Sequence, residues 1–400
     1  MKYLVFLADG MADEPIEELE GETPLEVAKT PGLDSLAKKG AQGTLLTIPE
    51  PFPTSSDAAN LSVLGYDLAK SYCGRGPIEA ASKGIELKED EIAFRCNLIT
   101  IGEGILEDYS AGQIDHKSAR DLIDLLNEDF GNSKVKFYPG VGFRNILVLK
   151  GKEFSDKIEY YKPDSNQGKK LKDILPFAKE KEGRETVRFL NKLIEESVEV
   201  LKDATTNEKL LSNGNKPANC IWPWSPGRKP HFKTFKEKYN KKGAVISAVD
   251  VILGIGKLTG MQSIKPEGAT GFIDTNYENK VKAALDALES NDFVYLHLEA
   301  IDECSHMGDI NLKIKAIEQF DERLVSPILK RTGDKVTVGV LPDHPVPIKL
   351  RKHTRTPVPF VISGKNVQKD GNTEYSEKTA LSGGLGHLDK YTFLKTLFKY

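Results

Sequence analysis

The most constraining feature of this chain is a series of short apolar runs that break off at carboxylates and histidines. Residues 3–8 lead into Asp9, 244–248 toward Asp250, 293–298 into Glu299-Ala300-Ile301-Asp302, and 335–341 into Asp343-His344. Together with 43–48 and 358–363 they read as strands, rich in β-branched and aromatic residues, and they alternate with helical patterns of about ten residues or more. That alternation predicts an α/β fold with a mostly parallel central sheet flanked by helices. In open α/β sheets ligands gather at the carboxyl ends of strands, so acidic and imidazole groups placed there repeatedly are a site signal in themselves.

Residues 86–211 read differently. They carry helical patterns at 117–127 and 185–201, a single strand candidate at 145–149, and a Lys-, Glu- and Asp-dense segment at 150–183 that reads as solvated surface. Strand-and-ligand segments lie on both sides. The expected organisation is therefore a core from 1–85 and 212–400, interrupted by a smaller inserted α/β cap domain at 86–211. A chain of 400 residues has room for two or three domains. Its 56 Lys plus Arg against 59 Asp plus Glu leave a formal charge of −3, no global basic field for nucleic acid or an anionic membrane, so an anionic ligand must meet a local cluster. The four cysteines, Cys73, Cys96, Cys220 and Cys304, form no CxxC pair, which speaks against a disulfide framework and a thiolate zinc site. No apolar run approaches 18 residues, and the expectation is a soluble protein of the reducing cytoplasm.

Asp302 and His306 stand at i and i+4, which on a helix puts a carboxylate and an imidazole on one face, close enough to share a cation. Asp343 and His344 are adjacent after a strand, His353 follows nine positions later, and Asp9 ends the first strand. Mixed Asp/His sets suit zinc, manganese or iron; six ligands are too many for one open catalytic ion and suit two ions a few ångströms apart. Taken singly, a strand-end Asp reads as a helix cap and an Asp/His pair at i,i+4 as a surface contact. Their joint placement after separate strands favours the metal reading. His116, His231 and His297 lack such a context and read as structural, while His387 in Gly383-Gly384-Leu385-Gly386-His387 fits either a site or a loop. Residues 53–61 read as a loop opening a helix, where a serine is ordinarily an N-cap. Beside a metal ion, which lowers the hydroxyl pKa, the same serine becomes a candidate nucleophile, and the helix N-terminus suits a phosphoryl group carried on it.

Asp9-Gly10, residues 54–66, Gly74-Arg75-Gly76-Pro77, Asp108-Tyr109-Ser110-Ala111-Gly112, Pro266-Glu267-Gly268-Ala269-Thr270-Gly271, residues 299–308, Asp343-His344 and residues 353–359 occur in this order across nearly the whole chain. Together they resemble the archaeal type of cofactor-independent phosphoglycerate mutase, of the alkaline phosphatase superfamily. The resemblance implies an alkaline-phosphatase-like core and the interconversion of 3-phosphoglycerate and 2-phosphoglycerate without 2,3-bisphosphoglycerate. It implies a nucleophile at Ser56, which also ligates one ion with Asp9, Asp343 and His344, and a second ion on Asp302, His306 and His353. The chain departs from the family at Ser55, where members often carry Gly, so two hydroxyls stand side by side. Manganese is the expected metal, with magnesium, zinc and cobalt as alternatives.

A phosphate and a carboxylate on one small substrate call for fixed cations, and arginine offers bidentate geometry for both. Arg75 in its Gly-flanked loop, Arg144 after Gly142-Phe143, and Arg228 after Trp222-Pro223-Trp224-Ser225-Pro226-Gly227 are the substrate-binding candidates. Trp222 and Trp224 read as packing anchors. Residues 254–260 lack GxGxxG spacing and no GxxxxGK[ST] occurs, so nucleotide binding has no support. Asp108 and His116 are open candidates for acid-base work on glycerate. Alternative readings are a homoserine kinase-type phosphotransferase, a metal-dependent phosphatase of the same superfamily, and a non-catalytic metal-stabilised binding protein; a homo-oligomer is left open.

Overall fold

In the computed structural model, which describes residues 1–231 and 233–400, Lys2–Ala8 forms strand β1 and is buried from Tyr3 onward. A strand covered on both faces belongs at the centre of a parallel sheet. The second strand, β2, is Gly40–Leu45. Five strands then follow in a separate sheet: Glu91–Gly102 (β3), Ile105–Asp108 (β4), Val135–Val141 (β5), Arg144–Lys150 (β6) and Cys220–Gly227 (β7). The chain returns to the first sheet with Gly243–Ile246 (β8), Gln262–Ile264 (β9), Phe293–Leu298 (β10), Val336–Leu341 (β11), Val358–Ser363 (β12) and Gly386–Leu388 (β13).

The first sheet has eight strands in the order β13-β2-β12-β11-β1-β10-β8-β9, and only β12 runs against its neighbours. It belongs to a unit made of Met1–Tyr72 and His231–Tyr400. Leu4, Phe6 and Ala8 point into a core completed by the Pro31–Lys39, Tyr277–Ser290 and Ile310–Gln319 helices, each contributing apolar residues at helical spacing. Burying each of the larger side chains among these, such as Leu4 and Phe6, contributes about 1.5–3 kcal/mol. Because β10, β1 and β11 are adjacent and parallel, their carboxyl ends meet at one place.

The second unit, Cys73–Pro230, has its own antiparallel sheet, ordered β4-β3-β6-β5 with β7 also paired to β3. Phe94, Cys96 and Leu98 of β3 face a core shared with the His116–Phe130 and Arg184–Lys202 helices, while Ala93, Ile146 and Val148 on the other face pack against Ala80 of the Arg75–Ser82 helix. No helix among the described residues is long and apolar enough to cross a membrane.

Three sequence expectations are corrected. The 86–211 segment holds not one strand but four, β3 to β6, and both faces of β3 are buried, which erases the alternation that would have announced it. The smaller unit also extends beyond 86–211 at both ends. Its first helix packs on β3 through Gly76, where a Cβ would lie 2.2 Å from the Ala93 carbonyl oxygen, and β7 completes the sheet. Finally, β2 lies at Gly40–Leu45 rather than 43–48: Gly40 and Gly43 approach Ile362 and Gly386 so closely that a Cβ would sit 2.2 and 2.3 Å from their carbonyl oxygens. Glycines that read as a strand boundary are here part of the strand.

Candidate metal centre and active site

Asp9 follows β1 directly, and its backbone N–H donates to the Leu298 carbonyl at 3.0 Å, which pins the end of β1 to the end of β10. Gly10 comes next in the left-handed region (φ 66°), and a Cβ there would fall 2.7 Å from Asp302 Cα. Glycine is thus what lets the first loop lie against the Ala300–Met307 helix. On that helix Asp302 and His306 share a face as their spacing predicts, with Asp302 Oδ2 3.4 Å from His306 Nε2. His353 brings Nε2 to 3.3 Å from Asp302 Oδ1 and 2.9 Å from His306 Nε2. His306 Nδ1 lies 2.9 Å from the Arg351 carbonyl, an acceptor, so Nδ1 carries a proton and the ring is held with Nε2 facing the cluster.

A second grouping centres on His344 Nε2. It lies 3.5 Å from Asp9 Oδ1, 3.4 Å from Asp343 Oδ2 and 3.3 Å from Ser56 Oγ, and its ring stacks on His353 at 3.8 Å. All seven residues expected to bind metal are therefore gathered at one end of the sheet. Donor atoms of Asp302, His306 and His353 lie close enough together for one ion, and so do those of Asp9, Asp302 and His344. Asp302 thus stands in both groups, which the sequence reading placed in only one.

The donor set fits cations. Asp9 Oδ1 and Glu299 Oε2 are buried without hydrogen-bond partners among the described residues, a costly state for a carboxylate unless a cation is supplied. Burial and the neighbouring Asp343, Glu299 and Asp302 carboxylates push Asp9 far above the usual range. Burial and Asp302 push Glu299 up to about 8. Burial raises Asp343 to about 6, with Asp302 adding to it. Asp302 differs: burial opposes its ionisation, but hydrogen bonds to His306 and His353 hold it well below the carboxylate range.

Ser56 is the first residue of the Ser56–Val63 helix, while Ser55 occupies the N-cap position without capping through its side chain; its hydroxyl turns back to the Pro53 carbonyl at 3.4 Å. Of the two adjacent hydroxyls, Ser56 is the one beside the imidazoles. Asn60, one turn on, donates to the Ser56 carbonyl at 2.8 Å and to Asp343 Oδ2 at 2.9 Å, and accepts from the Tyr295 hydroxyl at 2.6 Å. His297, read as structural, sits with Nε2 2.9 Å from Asp9 Oδ2 and Nδ1 3.1 Å from Ser247 Oγ, and burial with nearby Lys280 lowers it to about 3. Since Val249 N–H donates to Ser247 Oγ, the serine proton is available to Nδ1 and the Nε2 proton goes to Asp9. The signal missed in the sequence is period 2: Tyr295, His297 and Glu299 are polar groups on alternate positions of an otherwise apolar strand.

The arginine candidates lie in the smaller unit. Arg75 is the first residue of the Arg75–Ser82 helix and not of a ligand loop; its flanking glycines approach the protein's own strands, Gly74 at the Pro226 carbonyl and Gly76 at the Ala93 carbonyl. Arg75 Nε lies 3.2 Å from Glu79 Oε1. Arg144 begins β6 opposite Asn97. Arg228 is occupied elsewhere, donating to the carbonyls of Glu89 (3.3 Å) and Phe154 (2.6 Å). Trp224 lies against Arg95, the guanidinium 5.3 Å from its ring, and Trp222 donates to the Tyr161 carbonyl. His116 accepts from Gly142 N–H, Asp108 pairs with Lys216 and Ser110, and His387 pairs with Thr44, so none of the three stands in the metal-ligand cluster.

Residues 37–207 match the family model described as 2,3-bisphosphoglycerate-independent phosphoglycerate mutase. The chain is 46% identical over 387 residues to the enzyme of that name from Methanosarcina acetivorans, covering 96% of both chains. It is 44% identical over an alignment of 403 positions, covering 100% of both chains, to the one from Methanosarcina mazei. Among solved structures, the cofactor-independent phosphoglycerate mutase from Thermoplasma acidophilum matches with a TM-score of 0.66 and 29% identity, covering 100% of this chain and 99% of that one. With relatives this similar along its whole length, the chain belongs to the 2,3-bisphosphoglycerate-independent phosphoglycerate mutases.

Proposed function

We propose that the protein interconverts 3-phosphoglycerate and 2-phosphoglycerate through a phosphoserine at Ser56. The observation that carries this reading is the Ser56 hydroxyl 3.3 Å from His344 Nε2, at the edge of a buried Asp/His cluster too rich in donors for one ion. Asp302, His306 and His353 would hold one divalent cation, and Asp9, Asp343, His344 and Ser56 the other, manganese being the first candidate for this oxygen and imidazole set. When bound, such cations stabilise charge on phosphoryl oxygens and lower the pKa of a nearby hydroxyl.

Ser56 Oγ forms its bond to phosphorus as the bond to substrate O3 breaks; Oγ loses its proton and O3 gains one, leaving phosphoserine and glycerate. The reverse transfer to O2 gives 2-phosphoglycerate. Ser56 opens its helix, so a phosphoryl group on Oγ meets the first-turn N–H groups and the positive end of the helix dipole. Arg75 and Arg144 hold an anionic group of the substrate. Four free thiols fit the reducing cytoplasm as the compartment.

The test is an enolase-coupled assay of manganese-loaded protein, run beside free phosphate release and ATP-dependent homoserine phosphorylation. Mutase turnover without phosphate release, abolished in Ser56→Ala, is the expected result. Phosphate release alone, turnover of homoserine alone, or full mutase activity in Ser56→Ala would overturn the reading.

A further inference from the structure

One carboxylate in the smaller unit is surrounded by guanidinium groups. Glu79, only 3% exposed, faces the sheet one helical turn after Arg75. Its Oε1 accepts from Arg95 Nη1 at 2.5 Å and lies 3.2 Å from Arg75 Nε. Arg95 is 5% exposed on β3, and its Nε has no hydrogen-bond partner among the described residues. The register sets Arg144 opposite Asn97, two residues along the same face of the sheet from Arg95. Trp224, paired with Arg95 across β3 and β7, lies 5.3 Å from the Arg95 guanidinium and 6.0 Å from that of Arg75. Burial alone would raise the Glu79 pKa, but Arg95, Arg75 and Arg144 together bring it below the ordinary value. Burial, Arg75 and Arg144 pull Arg95 down to about 10, even with Glu79 beside it.

A buried arginine that exposes almost no surface is poorly placed to touch a small substrate, and a buried carboxylate would repel an anion. Both make sense as parts that aim a third group. With its Oε1 3.2 Å from Nε, Glu79 attracts that side of Arg75 by charge and turns the Nη1/Nη2 edge away from itself, an edge that can meet two oxygens of a carboxylate or phosphate. We propose that Glu79 and Arg95 are positioning residues, a buried ion pair stacked on Trp224 that fixes Arg75 beside Arg144 as a fork for an anionic group of the phosphoglycerate. This rests on the substrate assignment above and adds to it two residues and a role.

The variants are Glu79→Gln/Arg95→Met, which removes the pair together and leaves no lone buried charge, and Arg75→Lys, which keeps the charge and loses the fork. Each is made in the full chain, and binding of 3-phosphoglycerate, D-glycerate and inorganic phosphate is followed by calorimetry beside the thermal midpoint and steady-state kinetics. The expected result is a dissociation constant for 3-phosphoglycerate raised about tenfold or more in both variants, with KM rising in parallel, kcat within about threefold, and the midpoint little changed. A matching loss for D-glycerate identifies the carboxylate as the group held; a matching loss for phosphate identifies the phosphate. Unchanged binding of 3-phosphoglycerate in the folded double variant overturns the positioning role. If the double variant does not fold, unchanged binding in Arg75→Lys overturns it instead. Parent protein that binds phosphoglycerate but does not isomerise it would sink the mutase reading and leave this one standing.

Discussion

Tyr295 and Asn60 show how much of the centre is decided by single side chains that are not expected ligands. The Tyr295 hydroxyl can reach Asn60 Oδ1 only as donor, which orients the amide so that Nδ2 faces Asp343 and the Ser56 carbonyl. Tyr295→Phe removes that orientation without removing a ligand. We expect about a 10- to 100-fold loss of divalent-metal affinity, measured by titrating metal into chelator-treated protein, and a stability cost of about 1–3 kcal/mol from the orphaned amide oxygen, measured by urea unfolding. Unchanged affinity would reduce the pair to packing. Glu79 gives a prediction of pH dependence. Its pKa is lowered in the folded state, so it contributes stability that is present above the ordinary glutamate pKa and lost as pH falls through the lowered value. The parent protein should lose unfolding free energy on acidification below about pH 5 more steeply than Glu79→Gln/Arg95→Met does.

At the scale of elements, the strand ends were legible and their supports were not. Apolar runs with acidic or imidazole ends placed Asp9, Asp302, Asp343 and His344 correctly at the carboxyl edge of β1, β10 and β11, because a buried parallel strand must be apolar and the residue after it is free to be chosen for chemistry. The antiparallel sheet of the smaller unit was hidden for the opposite reason. On β3, Arg95 and Asn97 are polar yet buried, Arg95 paired with Glu79 and Asn97 bonded to Trp224 and Tyr109, so the run reads as neither core nor surface. Glycines were misread as loop markers where they permit contact between elements. Gly10 tests that point. Gly10→Ala forces a Cβ to 2.7 Å from Asp302 Cα at a positive φ, so the Ala300–Met307 helix must shift. The expected outcome is a loss of about 1–3 kcal/mol together with loss of tight binding of at least one metal ion, seen as reduced metal content after dialysis. A variant that keeps both ions would mean the loop can open without moving Asp302.

For the whole molecule, the division into two units gives metal binding a local thermodynamic signature. All the expected metal ligands lie in the unit formed by Met1–Tyr72 and His231–Tyr400, whereas Trp222 and Trp224 are the only tryptophans of the chain and both lie in Cys73–Pro230. Each unit has its own apolar core and its own sheet, so the two need not unfold in one step. A ligand that binds only the folded form stabilises the unit that holds it, by about 2.7 kcal/mol at a free concentration of 100 times the dissociation constant. Adding magnesium to chelator-treated protein should therefore raise one calorimetric transition and leave the midpoint of tryptophan fluorescence close to its metal-free value. Far-UV dichroism, which follows both sheets, should separate into two steps as metal is added. If fluorescence and dichroism instead move upward together, the units unfold as one cooperative body, and metal bound at the strand ends of the larger unit also stabilises the arginine-bearing sheet of the smaller one.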